Sequence, residues 1–193
     1  MSHIWRRFWK SRPGVVGLAL VLLLLSAAAL APQLASRPPL ATSAAAFRPP
    51  GVGDLLGTDN LGRDVWSGLL HGARVSLLVG VLSAGFAALI GVTVGATAGA
   101  AGGRVDAFLM RLSDLLQTIP HFSLALLIVA LAGRGLWKIV AVLAILGWPL
   151  TARLVRAEFL SLREREFVEA ARALGMSDLR VALMVILPNA VSP

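Results

Sequence analysis

A cysteine-free chain of 193 residues carries 57% apolar and 15% charged residues, a mean hydropathy of +0.80 and a formal net charge of +8. The length allows one domain with a substantial core, but the apolar surplus exceeds that of a soluble domain this size and indicates an integral membrane protein. Missing cysteines exclude disulfides and thiolate metal sites, and ten of the 18 basic residues lie before Pro13 or after Thr151, flanking apolar segments, so the charge reports membrane orientation and not nucleic-acid binding.

Residues 1–13 set Arg6, Arg7, Lys10 and Arg12 among Trp5, Phe8 and Trp9, a basic and aromatic collar suited to a cytoplasmic membrane face. Residues 14–36 follow without a charge. A basic start, an apolar run and the small residues Ala27 to Ala31 also fit a secretory signal. The run is longer than a signal's apolar core and approaches the ~20 residues of a span, so a retained anchor is expected.

Residues 37–74 change character, with Pro38, Pro39, Pro49, Pro50, glycine and mixed charge, and form a non-membrane loop. Asp59, Asn60 and Gly62 mark a turn, and residues 64–74 fit a short interfacial helix. Asp59, Arg63, Asp64 and Arg74 have the charges to pair among themselves or with a neighbouring subunit. The plainer alternative is a solvated turn with a capping aspartate. His71 has no second ligand nearby and makes no metal site.

Three more spans are expected within 75–152. Residues 75–103 hold no charge, and Ala87, Gly91, Gly95 and Gly99 recur every fourth position, placing small side chains where another helix can approach closely. Arg104, Asp106 and Arg111 make a polar connection to a span over 112–131, with Asp114 near its start and Pro120 able to kink it. His121 is either a functional ionisable group or a partner for backbone freed by Pro120. Arg134 and Lys138 border a short loop, and residues 136–151 make a fourth, shorter span flanked by Trp137 and Trp148. With the N-terminus cytoplasmic, twelve basic residues fall inside and six outside, the orientation the positive-inside rule favours.

Residues 153–193 then lie in the cytoplasm. Phe167, Ala170, Ala171 and Leu174 fall at i, i+3, i+4 and i+7, one helical stripe. Gly175 follows where left-handed backbone is needed, and Ser177 stands as an N-cap before Asp178. A second helix repeats the pattern with Leu179, Ala182, Leu183 and Ile186, until Pro188 disturbs its path. On pattern alone this is a helical hairpin packed on its own core.

Chemistry of its own is absent from the pattern: Lys10 and Lys138 end no GxxxxGK[ST] run, and there is no HExxH, no Gly-x-Ser-x-Gly and no cysteine. A membrane bundle with a cytoplasmic hairpin and no engine borrows one. Two motifs identify the lender. Glu169, Ala170 and Ala171, three residues, Gly175, nine residues, then Val185 to Asn189 give the spacing of an EAA loop, and GTDNLGRDVWSGLLHGAR over 57–74 matches a second signature. The chain thereby resembles the permease subunits of binding-protein-dependent ABC importers, more narrowly the C-type permeases of the dipeptide, oligopeptide and nickel group.

The resemblance implies an all-α polytopic bundle of the type I importer kind, in the bacterial inner membrane. About four spans are present here, where family members usually continue past the LPN into about two more. It implies no cofactor, metal or catalytic residue in this chain. Implied partners are a second permease subunit, two ABC ATPase subunits, an extracytoplasmic binding protein and lipid. Glu169, Ala170, Ala171, Arg172, Leu174, Gly175 and Pro188 would form the ATPase-coupling element. Gly57, Asp59, Gly62, Arg63, Asp64, Gly72 and Arg74 would form the signature loop. The expected cargo is peptide first and nickel second. The alternatives are a non-transporting anchor or assembly protein and a truncated, inactive permease fragment. A self-sufficient secondary transporter would need embedded acidic residues, of which Asp114 is the only candidate.

Overall fold

The computed structural model describes residues 8–133 and 135–190, so Trp5, Arg6 and Arg7 of the collar, and Arg134, lie outside the described residues. Among the described residues the elements are helical, with two isolated β-bridges and no strand. The expected all-α class holds. Two compact units divide the chain, Met1–Leu78 and Val79–Pro193.

In the first unit, α1 (Arg12–Ala29) starts at Ser11, whose side chain accepts from the Gly14 N–H, with Pro13 in the first turn where its missing N–H costs nothing. Its 18 residues rise about 27 Å. Leu20, Leu22, Leu23 and Leu24 each remain more than half exposed, as side chains that face lipid would. A single turn, Ala31–Leu34, follows.

The loop after it is held by one buried carboxylate. Asp54 is 2% exposed and takes an ion pair from Arg37 at 3.4 Å and another from Arg48 at 3.3 Å. Thr58 Oγ1 donates to the Ala45 carbonyl and accepts from the Arg48 N–H. The loop closes on α2 (Val65–Ala101) through the Trp66 indole, which donates to the Leu34 carbonyl at 3.1 Å. The interfacial helix expected over 64–74 is therefore the opening turns of α2. No proline or left-handed residue interrupts the 37-residue helix, which rises about 56 Å.

The second unit is built on α2 and α5 (Leu136–Arg163). The small-residue stripe does what its spacing predicts: Gly91 lies against Thr151 and Trp148, Gly95 against Ala152 and Val155, Gly99 against Phe159, and Ala87 against Gly147. A Cβ on Gly99 would stand 2.6 Å from that of Phe159. Both residue series ascend together, so the two helices run parallel. Helix α5 continues twelve residues beyond the span expected to end at Thr151, carrying Pro149 in its interior.

Where one span was expected over 112–131, the chain makes two helices, α3 (Gly103–Thr118) and α4 (His121–Ala132). Ile119 is extended, as a residue before proline prefers, and Pro120 has no N–H to continue the ladder. Among the described residues three helices, α1, α2 and α5, are long and apolar enough to cross a membrane. Because α2 and α5 run parallel, α3 and α4 together bring the chain back between them, and end to end they reach about 42 Å. The side chain of His121 lies outside the described residues.

Helix α3 is inside out. Val105, Phe108, Leu112, Leu115 and Ile119 form an exposed apolar stripe, while Asp106, Ser113 and Gln117 share the inward face with Leu109, Met110 and Leu116. Two ion pairs bind it antiparallel to α5. Arg156 donates from both prongs of its guanidinium to the two oxygens of Asp106, and Arg153 Nη2 lies 2.6 Å from Asp114 Oδ1. Asp114, the acidic residue an ion-coupled transporter would need, is thus matched by a cation.

Candidate functional site

Two residues separate the end of α5 from α6 (Glu166–Ala173). Helix α6 ends in a Schellman turn, with the Gly175 N–H donating to the Arg172 carbonyl at 2.9 Å and the Met176 N–H to Ala171 at 3.2 Å. Gly175 has φ +85° and open space around its α-carbon, so glycine is needed there for backbone angle and not for room. Ser177 holds the expected N-cap position, but its side chain makes no capping bond.

The returning arm differs from the expected uniform helix. After α7 (Asp178–Arg180) the ladder widens into π-helical turns over Val181–Ile186, then narrows again in α8 (Leu187–Ala190), which contains Pro188. Pro188 disturbs the path without ending it. Loss of its N–H and the bulk of its ring are absorbed by the wider turns just before it.

The faces of α6 are the main correction to the sequence reading. Val168, at 0% exposure, and Ala171 turn inward and join Val155, Phe159, Val181, Ala182 and Ile186 in one core. Of the expected stripe only Ala171 is buried. Phe167, Ala170 and Leu174 face outward, Leu174 at 86% exposure, with Glu169 and Arg172 also exposed. A stripe of period 3.6 does not say which of two apolar faces is inward, and Val168 supplies a second one. Arg172 reaches across the turn to Asp178 at 3.3 Å. A groove of about 660 Å³ lies between α2 and the hairpin, apolar along Ala96, Val181 and Ile186 and charged at Arg163, Arg172 and Asp178.

The other motif falls in the first unit. Asp59 accepts from the Leu61 and Arg63 N–H groups at 2.8 and 2.9 Å and pairs with Arg63 Nε at 3.0 Å. Those donors, the Arg63 N–H foremost, hold its carboxyl below the ordinary carboxylate range. Asp64 caps α2, accepting from the Trp66 and Ser67 N–H groups and from Ser67 Oγ at 2.5 Å. Gly57 and Gly62 sit at positive φ against the Arg48 and Ser43 carbonyls, Gly72 has open space, and Arg74 is exposed without an ion-pair partner among the described residues. His71 Nδ1 donates to the Ser67 carbonyl of its own helix. The turn and the capping aspartate are both present, and of the four charges only Asp59 and Arg63 pair with each other.

The family model described as binding-protein-dependent transport system inner membrane component matches residues 91–193, from the glycine stripe of α2 through the hairpin. The chain belongs to this family. A second model, the N-terminal transmembrane domain of oligopeptide transport permease C, matches residues 1–50. The resemblance to permeases of binding-protein-dependent importers is borne out by the two models, which match residues on either side of the 57–74 segment.

Among curated relatives, a protein designated a peptide transport system permease in Brucella suis biovar 1 (strain 1330) is 43% identical over 97% of this chain and 64% of its own length. The dipeptide transport system permease of Bacillus subtilis (strain 168) is 36% identical over 96% of this chain and 58% of its own. The oligopeptide permease of the same organism is 35% identical over 96% and 61%. The chain therefore spans somewhat under two thirds of the length of these relatives. As a member of the family it is a multi-pass inner-membrane protein of the permease class.

The α3–α5 ion pairs were not anticipated in the sequence. A signal was present in two acidic residues at the head of one apolar segment and two arginines at the tail of another, but Arg104, Arg111 and Glu158 offered opposite charges nearer in sequence.

Proposed function

We propose that this chain is a C-type permease subunit of an ATP-driven importer, forming part of a translocation path for peptides, with nickel the second candidate cargo. Its partners are a second permease subunit, two ABC ATPase subunits and an extracytoplasmic binding protein. The names of the relatives support the peptide reading. The N-terminus is cytoplasmic: α1 leads out, α2 returns, α3 and α4 lead out again, and α5 brings the hairpin back inside.

The observation that carries the coupling role is the two-faced α6. One face is fused to the end of α5 through Val168 and Ala171, and the other presents Phe167, Ala170 and Leu174 beside Glu169 to solvent. Exposed apolar residues rimmed by charge on a short, firmly based helix suit a docking contact. Docking into a groove of an ATPase subunit, with Glu169 meeting a basic group there, would turn nucleotide-driven closure into movement of α5.

The test is reconstitution with the partner permease and the ATPase subunits. Glu169→Lys and Gly175→Arg should insert normally yet lose both ATPase stimulation and uptake; unchanged values in both variants would refute the assignment. An anchor that only recruits a partner would retain ATPase binding and carry nothing across.

A further inference from the structure

The hairpin is not the only element joined to the end of α5. Arg153 and Arg156 lie in the last third of that helix, about 15 and 10 Å before its final residue Arg163. Both bind carboxylates on α3. The Asp106–Arg156 pair engages both prongs of the guanidinium and both carboxylate oxygens, and its partners are 16% and 32% exposed. Partial burial and two-point geometry make such a contact far more directional than an exposed single-point pair. The Asp114–Arg153 pair is more open, with partners 62% and 43% exposed, and fixes α3 at a second point. Two attachments on a rigid helix prevent it from pivoting about either one.

Beyond these attachments both helices carry a proline. Pro120 lies six residues past Asp114 on one chain and Pro149 four residues before Arg153 on the other. The chains run antiparallel, so both prolines lie on the same side of the ion pairs, about 9 and 6 Å away by helix rise. At Pro120 the helix is broken outright, with Ile119 extended. At Pro149 the helix continues but lacks one ladder bond. On the hairpin side of this line, α3 is held to α5 by the two ion pairs, while α6 and the end of α2, through Val92, Gly95, Ala96 and Gly99, pack on the same part of α5. On the far side α4 packs against α5.

We propose that the ion pairs Asp106–Arg156 and Asp114–Arg153 are positioning contacts that make α3 move with the coupling hairpin as one block, bending against α4 and the first part of α5 along a line through Pro120 and Pro149. This rests on the coupling role proposed above and adds to it a path: force arriving at α6 moves α3 as well as α5. The outward apolar stripe of α3 then shifts with each cycle, while α4 and the first part of α5 stay in place. Hinges of this kind require few residues and sit where the helical ladder is already weakened.

Charge exchange in the reconstituted assembly tests it. Asp106→Arg and Arg156→Asp should each lower uptake by about tenfold or more, within the range of measured site-to-site couplings, while the ATPase subunits still co-purify. The double exchange should restore most of the uptake. Wild-type uptake in the single variants would overturn the proposal, and so would a double exchange no better than the singles in protein with a wild-type melting transition.

If the single reversals do not fold, bridging decides. The chain has no native cysteine, so Asp114→Cys with Arg153→Cys can be joined by a short bifunctional thiosulfonate. Uptake that rises on bridging and falls on reduction supports a common block. Uptake blocked by bridging and released by reduction means that α3 and α5 slide past each other, and overturns it. Gly175→Arg separates this proposal from the coupling role. If Gly175→Arg abolishes ATPase stimulation while the reversals are silent, the block fails and the docking role stands. If Gly175→Arg is silent while reversal and rescue behave as stated, the block stands and docking lies elsewhere.

Discussion

Gly99 and Phe159 meet across α2 and α5 so closely that a single added carbon on the glycine would lie 2.6 Å from the Phe159 Cβ. Phe159 is 1% exposed and belongs to the core that also holds the hairpin. A larger residue at position 99 must therefore part the two helices or displace the base of the hairpin. Gly99→Val should destabilise the protein by about 1 to 3 kcal/mol, the usual range for overpacking, read as a lower melting temperature in detergent. Gly85→Val, on the same helix with open space around it, is the control and should leave the transition in place.

The two faces of α6 separate stability from coupling. Val168→Ala removes methyl groups from a fully buried site and should cost about 2 kcal/mol. Leu174→Ala removes a side chain that touches solvent and should change stability by less than about 0.5 kcal/mol. Stimulation of the ATPase subunits should respond in the opposite order, strongly to Leu174→Ala and only in proportion to lost fold for Val168→Ala.

Gly175→Ala isolates backbone conformation, because a methyl group there meets no neighbour. Holding a non-glycine residue at φ +85° should cost about 1 to 2 kcal/mol, measured as a lower midpoint of thermal unfolding. Gly175→Asn should recover part of the loss, since asparagine tolerates the left-handed region better than alanine.

The loop closed by Asp59 should resist mild acid. Its carboxyl is held low in the folded turn, chiefly by the Arg63 N–H, so the turn is fully stabilised above the ordinary carboxylate range and loosens as the pH falls through the lowered value. An NMR titration should find the Asp59 carboxyl carbon changing at lower pH than an unstructured aspartate. In Asp59→Asn the Arg63 amide resonance should lose its acid-dependent shift.

Much of this architecture is legible in the chain. The fourfold recurrence of Ala87, Gly91, Gly95 and Gly99 names a close helix contact, and Gly175 names a left-handed turn, because only one residue type suits each demand. Other features depend on choices that local pattern leaves open. Phe167 and Val168 are adjacent and equally apolar, and what decides which is buried is Phe159, eight residues upstream on another helix. The division of the third span at Pro120 was readable only as a kink, since a proline bends or breaks a helix according to what supports its neighbours. Asp106 reads as part of a polar connection and Asp114 as a charge near the start of a span, because their partners lie some 40 to 50 residues onward.

The widened turns over Val181–Ile186 also act as a phase setter. Each π turn holds about one residue more than an α turn, so Leu187–Ala190 leaves the hairpin at an azimuth that a regular helix would not give. Deleting one exposed residue from that stretch, such as Leu183, while the ladder relaxes to α spacing should leave Leu187–Ala190 near its present azimuth, whereas α spacing imposed on all six residues would turn it by about 100° about the helix axis. The wide turns thus take up one surplus residue and keep it from rotating the end of the arm.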